Sequence, residues 1–492
     1  MISRAHFDAL FDPRGVIVAG ASTHPGKFGF VALHNILSCG YGGEVFATNR
    51  ERAEVLGRAT FADLSELPDG VADLVFVCTP AASNPEVLRQ AASKGVRAAF
   101  IASAGYGESG DEGRRLQDEL VALADELDLL LIGPNGQGLV STPSDLCAQI
   151  VAPYPPRGRI GIASQSGNFV SSFMNLARQS GVGVSRAISV GNAAQVGVID
   201  MVEYYAEDPE TNVGLVYLEG VPEGRRFADR LAAVCRRMPV VIVKGGVSGV
   251  GARAAASHTG SLATDDRVFD GMCRQVGASR ARSIAEAFDT AAAFATLPLP
   301  SGPRLAVVTT VGGWGVLAAD ATASTAVDLL ALPEDLRASL DELLPPRWSR
   351  NNPIDLAGGE TKDTVPAVLD AVVHHPDVDA TLVLGMGIQS NQGRLEREGP
   401  FFPDHGLERI VAFHDRQDAR YVDVALSAAT TFDKPVLIAS ELAIADPTNA
   451  AVAAVRVRGG YCFPSAERAV VALDHLYRRS RWLTSLDTDA RS

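Results

Sequence analysis

Cysteine is scarce in this chain: six residues in 492, with no two spaced as CxxC. That excludes a disulfide scaffold and a paired-cysteine metal or redox motif. Several of the six (Cys39, Cys78, Cys147, Cys235, Cys273, Cys462) stand in apolar runs, the ordinary usage of reduced cytoplasmic proteins. Runs of Lys and Arg are lacking and the net charge is −14, so no basic face is offered to a nucleic-acid backbone. No apolar run reaches transmembrane length and no secretory leader is read, which argues against a membrane protein. A Walker A pattern is missing as well. Two histidines are adjacent, His374 and His375. With no third ligand in view they read as surface residues and not as a metal site.

What is present is an α/β pattern. The length suggests about three domains of about 150 residues each, and 47% hydrophobic with 21% charged residues fits globular protein. In the first segment an apolar run ends in Gly20-Ala21-Ser22, and THPGKFG (Thr23 to Gly29) leads into a helix. Strand, glycine turn and helix form a Rossmann-type phosphate-binding plan, because the amides at a helix start can hold an anion. The spacing of this first turn does not fit GxGxxG. A second strand ends in Asn49-Arg50, where a nicotinamide site would place Asp or Glu; the pair suits a phosphorylated ribose or another anion. Further strands end at Thr79-Pro80, at Ser103-Ala104-Gly105 and at Gly133-Pro134-Asn135. Helical stretches separate the strands, so the sheet is expected to be parallel, with ligand contacts at the strands' carboxyl ends.

Two proline-rich linkers follow, Ala152 to Gly158 and Leu297 to Pro303. After each comes a strand, a hydroxyl-and-glycine turn and an apolar helix: Arg159 to Gly167, and Arg304 to Gly313. The last two thirds therefore read as related doubly wound domains. At Ser164-Gln165-Ser166-Gly167 a serine can cap the helix, and the same free amides can attract a phosphate. Ser189-Val190-Gly191-Asn192 ends another strand. Glu219 stands at a strand's carboxyl end, where a carboxylate could fix a histidine's tautomer. Lys244 to Ser261 is a glycine-rich stretch carrying one histidine among small residues, Ser257-His258-Thr259-Gly260.

Taken in order, Gly20-Ala21-Ser22, Gly133-Pro134-Asn135, Ser164 to Gly167, Ser189 to Asn192, Asp208-Pro209-Glu210-Thr211, Glu219-Gly220 and Ser257 to Gly260 resemble the nucleoside-diphosphate-forming acyl-CoA synthetases. This is the superfamily of succinyl-CoA synthetase, and the match is strongest to alpha subunits of ADP-forming acetyl-CoA synthetases. The resemblance runs over roughly residues 8 to 480. It implies an α/β fold with an N-terminal Rossmann-type CoA-binding domain (1–151), then two flavodoxin-like doubly wound parallel-sheet domains (158–297 and 303–480) and a polar tail (481–492). It implies an ADP-forming acid–CoA ligase that works through an acyl phosphate and a phosphohistidine. His258 would be the phosphorylated residue and Glu219 the carboxylate that orients it, with Gln165, Ser166 and Gly167 holding phosphate. CoA would be met by Gly20, Ala21, Ser22, Lys27, Asn49, Arg50, Thr79, Pro80, Ser103, Ala104 and Asn135. No ATP-grasp domain is read, so ATP or ADP and Mg²⁺ are expected on a separate beta-type subunit of a homo- or hetero-oligomer. The other substrate would be a small carboxylic acid or its acyl-CoA.

The sequence departs from this family in three places. The third-domain turn reads Thr309 to Gly315 with Trp314; Gly136-Gln137 follows Gly-Pro-Asn; and Gln195 stands where relatives carry Asp. The last two bear on acyl specificity. Asn351 to Leu356 resembles the family's Asn-Pro-x-Asp-Leu segment, whose expected role is structural or at a subunit contact. Two alternatives stand beside this reading: a CoA-binding regulatory protein without turnover, and a nicotinamide dehydrogenase. Asn49-Arg50 and the glycine spacing argue against the second.

Overall fold

The computed structural model describes residues 2–151, 153–221, 223–251, 253, 265–356, 358 and 362–489. It divides into two compact units, Met1–Arg178 with Gly183–Ile284, and Gln179–Val182 with Ala285–Ser492.

The first unit holds two sheets. Strands β1 (Gly15–Ala19), β2 (Glu44–Thr48), β3 (Leu74–Val77), β4 (Ala98–Ile101) and β5 (Leu130–Ile132) pair in the order β2-β1-β3-β4-β5. Every pairing is parallel, and helices α1 (Arg4–Phe11), α2 (Phe28–Ser38), α3 (Asn84–Ser93) and α4 (Asp111–Glu126) precede or connect the strands. All residues of β1, β3, β4 and β5 are buried, because helices cover both faces of such a sheet and its strands can be apolar throughout. The sequences GVIVA, LVFV, AAFI and LLI meet that demand. Phe76 and Phe100, on neighbouring strands, stack with ring centroids 5.0 Å apart. Each expected strand stops just short of its polar end, so those polar residues form the turns beyond the sheet.

The second sheet is built from β6 (Gly138–Ser141), β7 (Leu146–Gln149), β8 (Arg157–Ser164), β9 (Val184–Ser189), β10 (Val213–Leu218), β11 (Val240–Lys244) and β12 (Ser279–Ala281). Their order is β12-β11-β10-β8-β9-β6-β7. Strands β8 to β12 are parallel to one another. The hairpin β6–β7 is antiparallel and pairs with β9. It lies within the segment expected to close the first domain at residue 151; its residues are buried and extend the second sheet instead. A buried cation joins the two sheets' chains. Arg186 on β9 meets Asp208 at 3.1 Å and Asp12 at 2.8 Å, and its guanidinium lies over Phe11. The Asp208-Pro209-Glu210-Thr211 motif therefore supplies a counter-charge: the Thr211 hydroxyl donates to Asp208, and the Asp208 carboxylate receives Arg186.

In the second unit, β13 (Arg304–Thr309), β14 (Asp328–Leu329), β16 (Ala380–Leu384), β17 (Val436–Ala439) and β18 (Cys462–Phe463) follow the order β14-β13-β16-β17-β18, and β15 (Ile354–Asp355) also pairs with β13. One edge of β13 is thus shared by two short strands. Asn352 fills the gap: its carboxamide accepts from Val307 N–H at 2.9 Å and donates to the carbonyls of Leu305 (2.7 Å) and Leu330 (3.0 Å). The Asn-Pro-Ile-Asp-Leu segment has, at this residue, the structural role expected of it. His375, expected at the surface, is buried. It ends its helix, Nδ1 accepting from Asp377 N–H at 3.1 Å and Nε2 standing 3.3 Å from Asp335. The segment from 481, expected as a polar tail, continues the helix Ala466–Asp489, whose first turns present a buried apolar face. No helix among the described residues is long and apolar enough to cross a membrane.

Candidate active site

The order β2-β1-β3 means that the chain goes from β1 to β2 on one side and then crosses over to β3 on the other, reversing direction at β1. In open parallel sheets such a reversal is where a ligand crevice forms, at the strands' carboxyl ends. Gly20, Ala21 and Ser22 lie there at the end of β1, and Thr79 and Pro80 just beyond β3. Gly20 has φ +85°, and a β-carbon on it would meet the Thr79 methyl at 2.9 Å. Helix α2 (Phe28–Ser38) packs against the same turn; a β-carbon on Gly29 would meet the Gly20 carbonyl oxygen at 2.1 Å. Lys27 is the exposed N-cap residue of this helix. Asn49 is spent internally: its amide donates to the Ala21 carbonyl (2.9 Å) and its oxygen accepts from Glu51 N–H (3.0 Å). Arg50 is exposed beside it, 3.4 Å from the Ser83 hydroxyl. On the far side, Asn84 is fully buried and joins Thr79 (2.9 Å), Ser103 (2.9 Å) and Tyr106 (2.7 Å). Sequence reading missed Asn84; the signal was an Asn-Pro pair opening a helix shortly after Thr79-Pro80. Ala104 is exposed next to Ser103. Cys78, also at this edge, has its thiol pushed up to about 12 by burial and stays protonated.

Beyond β5, the edge strand of the first sheet, the chain meets the second sheet. Gly133-Pro134-Asn135 and Ser189 to Asn192, separate motifs in the sequence, pack together: Asn192 N–H donates to the Pro134 carbonyl at 2.9 Å, and Ala194 N–H to the Gly133 carbonyl at 3.1 Å. Gly191 has no room for a side chain, since its β-carbon would stand 2.2 Å from the Pro134 oxygen. The Asn192 amide donates to Glu108 (2.5 Å) and Gln117 (2.9 Å), while Asn135 reaches Asn192 at 3.4 Å. Burial alone would raise the Glu108 carboxyl. Asn192 and the backbone amides of Gly105, Glu108 and Tyr106 outweigh it and hold the group below the usual carboxylate range. Gln195, expected to bear on acyl specificity, is occupied structurally: its oxygen accepts from Leu131 N–H (2.7 Å) and its amide donates to Asp125 (2.8 Å).

From Asn135 the chain runs directly to the second candidate centre. Gln137 lies over the first residue of helix α5 (Gly167–Ser180), its Cδ 2.1 Å from where a β-carbon of Gly167 would be. Its amide nitrogen stands 3.4 Å from Asn168. Ahead of that helix Ser164 Oγ accepts from Ser166 N–H (3.0 Å) and donates to the Ser166 carbonyl (2.6 Å). This closes the turn and leaves the first helical amides without intrahelical partners, a local positive pole. Gln165 turns its side chain the other way. Its oxygen accepts from Glu219 N–H (2.6 Å) and Gly220 N–H (3.3 Å), and its nitrogen donates to the Gly220 carbonyl (3.2 Å). Glu219, at the end of β10, is buried. Thus the expected phosphate-holding turn and the expected orienting carboxylate are tied together by Gln165, whose own polar atoms are committed to the backbone.

Beyond β11 begins the glycine-rich stretch. Lys244 is buried, 4.0 Å from Asp266 at the start of the helix Asp266–Val276, and its ammonium lies over the Phe269 ring. Burial, then the nearby Arg280, lower its pKa; Asp266 opposes them. His258, with Ser257, Thr259 and Gly260, lies outside the described residues.

Three family models match the chain: a CoA binding domain over residues 14–142, a succinyl-CoA ligase like flavodoxin domain over 157–294, and a Ligase-CoA domain over 305–389. A CoA-binding Rossmann-type sheet followed by two flavodoxin-like sheets, with a helix N-terminus and a strand-end carboxylate tied together at one edge, defines an acid–CoA ligase of the nucleoside-diphosphate-forming class. The chain is 34% identical over 480 residues to the Acetate–CoA ligase [ADP-forming] I subunit alpha of Pyrococcus furiosus, covering 96% of this chain and 98% of that one. It is 36% identical over 377 residues to the Acetate–CoA ligase [ADP-forming] I of Archaeoglobus fulgidus, covering 77% of this chain and 54% of that longer one. A solved structure of dinucleotide forming acetyl-coenzyme A synthetase 1 of Ca. Korarchaeum cryptofilum, in complex with phosphate and ADP, superposes with a TM-score of 0.84 at 30% identity over 98% of each chain. The chain belongs to the ADP-forming acetate–CoA ligase family, on the side of its alpha subunits.

Proposed function

We propose that this chain is the CoA-binding, phosphohistidine-bearing subunit of an ADP-forming ligase that interconverts a small acyl-CoA, ADP and phosphate with the free acid, CoA and ATP. Acetate is the first acid to test, given the names of its relatives. The observation that carries the reading is the Gln165 bridge, which holds Glu219 beside the first turn of α5. In the acyl-CoA-consuming direction, a phosphate oxygen attacks the thioester carbonyl. The carbon–sulfur bond breaks, CoA leaves as the thiolate and takes a proton, and an acyl phosphate remains. A ring nitrogen of His258 then attacks phosphorus, and the carboxylate departs. Glu219 accepts the N–H of the other ring nitrogen, which keeps the attacking nitrogen unprotonated and stabilises the cationic ring as the phosphoryl group arrives.

Within the expected phosphate site, the Gln165 side chain acts as the bridge, and the amides from Gly167 onward face the moving charge. In the crevice, Ser22, Lys27 and Arg50 are the polar groups left accessible for CoA, while Asn49, Thr79 and Ser103 shape its walls; Gly20, Ala21, Pro80, Ala104 and Asn135 complete the set. ATP or ADP with Mg²⁺ sits on a separate ATP-grasp beta-type chain, consistent with relatives named as subunit alpha. The experiment is to incubate the chain with radiolabelled acetyl phosphate, and separately with labelled ATP, Mg²⁺ and a candidate ATP-grasp partner. Acid-labile, base-stable label on the wild type and none on His258→Ala is the expected result. CoA binding without label under any condition would overturn it in favour of a regulatory CoA-binding protein.

A further inference from the structure

Three parts of the phosphoryl site meet at one ring. Tyr217 sits on β10 two residues before Glu219 and is buried. Its ring stacks on Phe169, in the first turn of α5, with centroids 3.7 Å apart and planes 13° from parallel. Its hydroxyl donates to Glu219 Oε1 at 3.3 Å. The same hydroxyl faces the first glycine of the glycine-rich stretch: a β-carbon on Gly245 would stand 2.7 Å from it. Alternation along a strand puts residues two apart on one face, so the ring and the carboxylate share the side of the sheet on which α5 begins. Burial, then the charge of Glu219, push the phenol above its usual pKa, so it remains a donor.

We propose that Tyr217 is a positioning residue for the Glu219 carboxylate, wedged between helix α5 and Gly245. The role rests on the phosphohistidine reading above. Gln165 holds the Glu219 backbone, and the phenol holds its side chain. The stack on Phe169 locks the ring, so the hydroxyl offers one fixed direction to the carboxylate. Gly245 is glycine here because a methyl group would push the hydroxyl off its acceptor.

The test measures single-turnover labelling of the full chain by radiolabelled acetyl phosphate for Tyr217→Phe, Gly245→Ala, Glu219→Gln and the double variants Y217F/G245A and Y217F/E219Q. CoA affinity and thermal melting are followed in parallel. Y217F keeps the stack and removes only the donor, so labelling should slow by about tenfold, as for other groups that orient a reacting one, with CoA affinity unchanged. In the E219Q background the same substitution should add little, since the group it positions is already altered. G245A should slow labelling as Y217F does, and the double variant should be no slower than Y217F alone, because the phenylalanine leaves room for the methyl group. Equal slowing by Y217F with and without E219Q, or an additive G245A effect, would overturn the positioning role. So would wild-type label that Y217F leaves untouched, with the phosphohistidine reading still standing. Label on no variant, the wild type included, would remove that reading and this role with it.

Discussion

Glu219 shows how a single carboxylate can be held at two levels, its backbone by Gln165 and its side chain by Tyr217. Glu219→Gln keeps the shape and removes the charge, so phosphorylation of the chain should slow by about 10²-fold or more, with CoA binding intact; calorimetry beside the labelling assay checks both. Gln165→Ala acts differently. It strands the amides of Glu219 and Gly220 without an acceptor, at a cost of about 1–3 kcal/mol each where water cannot replace it, and equilibrium denaturation should register the loss. At this scale the sequence was legible where a residue's partner is local. Ser164 closing its own turn and Glu219 ending its strand are both readable from neighbours in the chain. Asn84, Gln137 and Tyr217 were not, because their partners arrive from other strands and helices. The partners of Gln195 were hidden for the same reason: nothing nearby announces that Leu131 of β5 will donate to its side-chain oxygen.

At the scale of elements, the repeat seen in the sequence reappears as one turn built twice. Ser164 before α5 and Thr309 before the helix Gly312–Thr322 each accept from the amide two residues on, at 3.0 and 2.9 Å, and donate to the carbonyl of that same residue. The strand-turn-helix pattern was legible because hydroxyl, glycine and apolar period all fall within a few residues. The way β13 is completed was not, since Asn352 does a strand's hydrogen bonding from within a proline-containing loop. Asn352→Ala leaves one amide and two carbonyls of that edge without their partner. It should lower stability by about 2–4 kcal/mol, read as a shifted denaturation midpoint with an unchanged slope. In the first sheet Gly29→Ala drives a methyl group into the Gly20 carbonyl. It should cost about 1–3 kcal/mol of overpacking and weaken CoA binding, because the turn it displaces is the floor of the crevice.

For the whole molecule, acid is the informative stress. Burial alone would raise the carboxyls of Asp73 and Asp379. Hydrogen bonds from Arg14 outweigh it at the first, and bonds from Arg304, helped by Ser301, at the second, so both are held below the usual value of about 3.9. A carboxylate whose folded pKa is depressed adds stability in full above its unfolded pKa, and that share is lost as pH falls through the folded value. Melting temperatures should therefore fall steeply below about pH 4, and Asp73→Asn with Asp379→Asn should flatten that fall while lowering stability at neutral pH. The three-sheet plan was visible in the order of apolar runs and glycine turns. The border between the first two sheets was not, because a hairpin's sheet is set by which edge it meets and not by its place in the chain.

That hairpin sets a limit on how this protein can be divided. Residues 138–149 lie before the proline-rich linker yet form the outer edge of the sheet that follows it. A fragment begun at Arg157 would leave β9, a fully buried strand, with a bare row of amides and carbonyls open to any passing strand. Such an edge recruits copies of itself. The flavodoxin-like half produced alone should thus collect in inclusion bodies, while the same half begun at Gly138 should stay in solution. During synthesis, too, the hairpin leaves the ribosome before its partner strand exists, and the free edge of β6 must wait for β9 to be made.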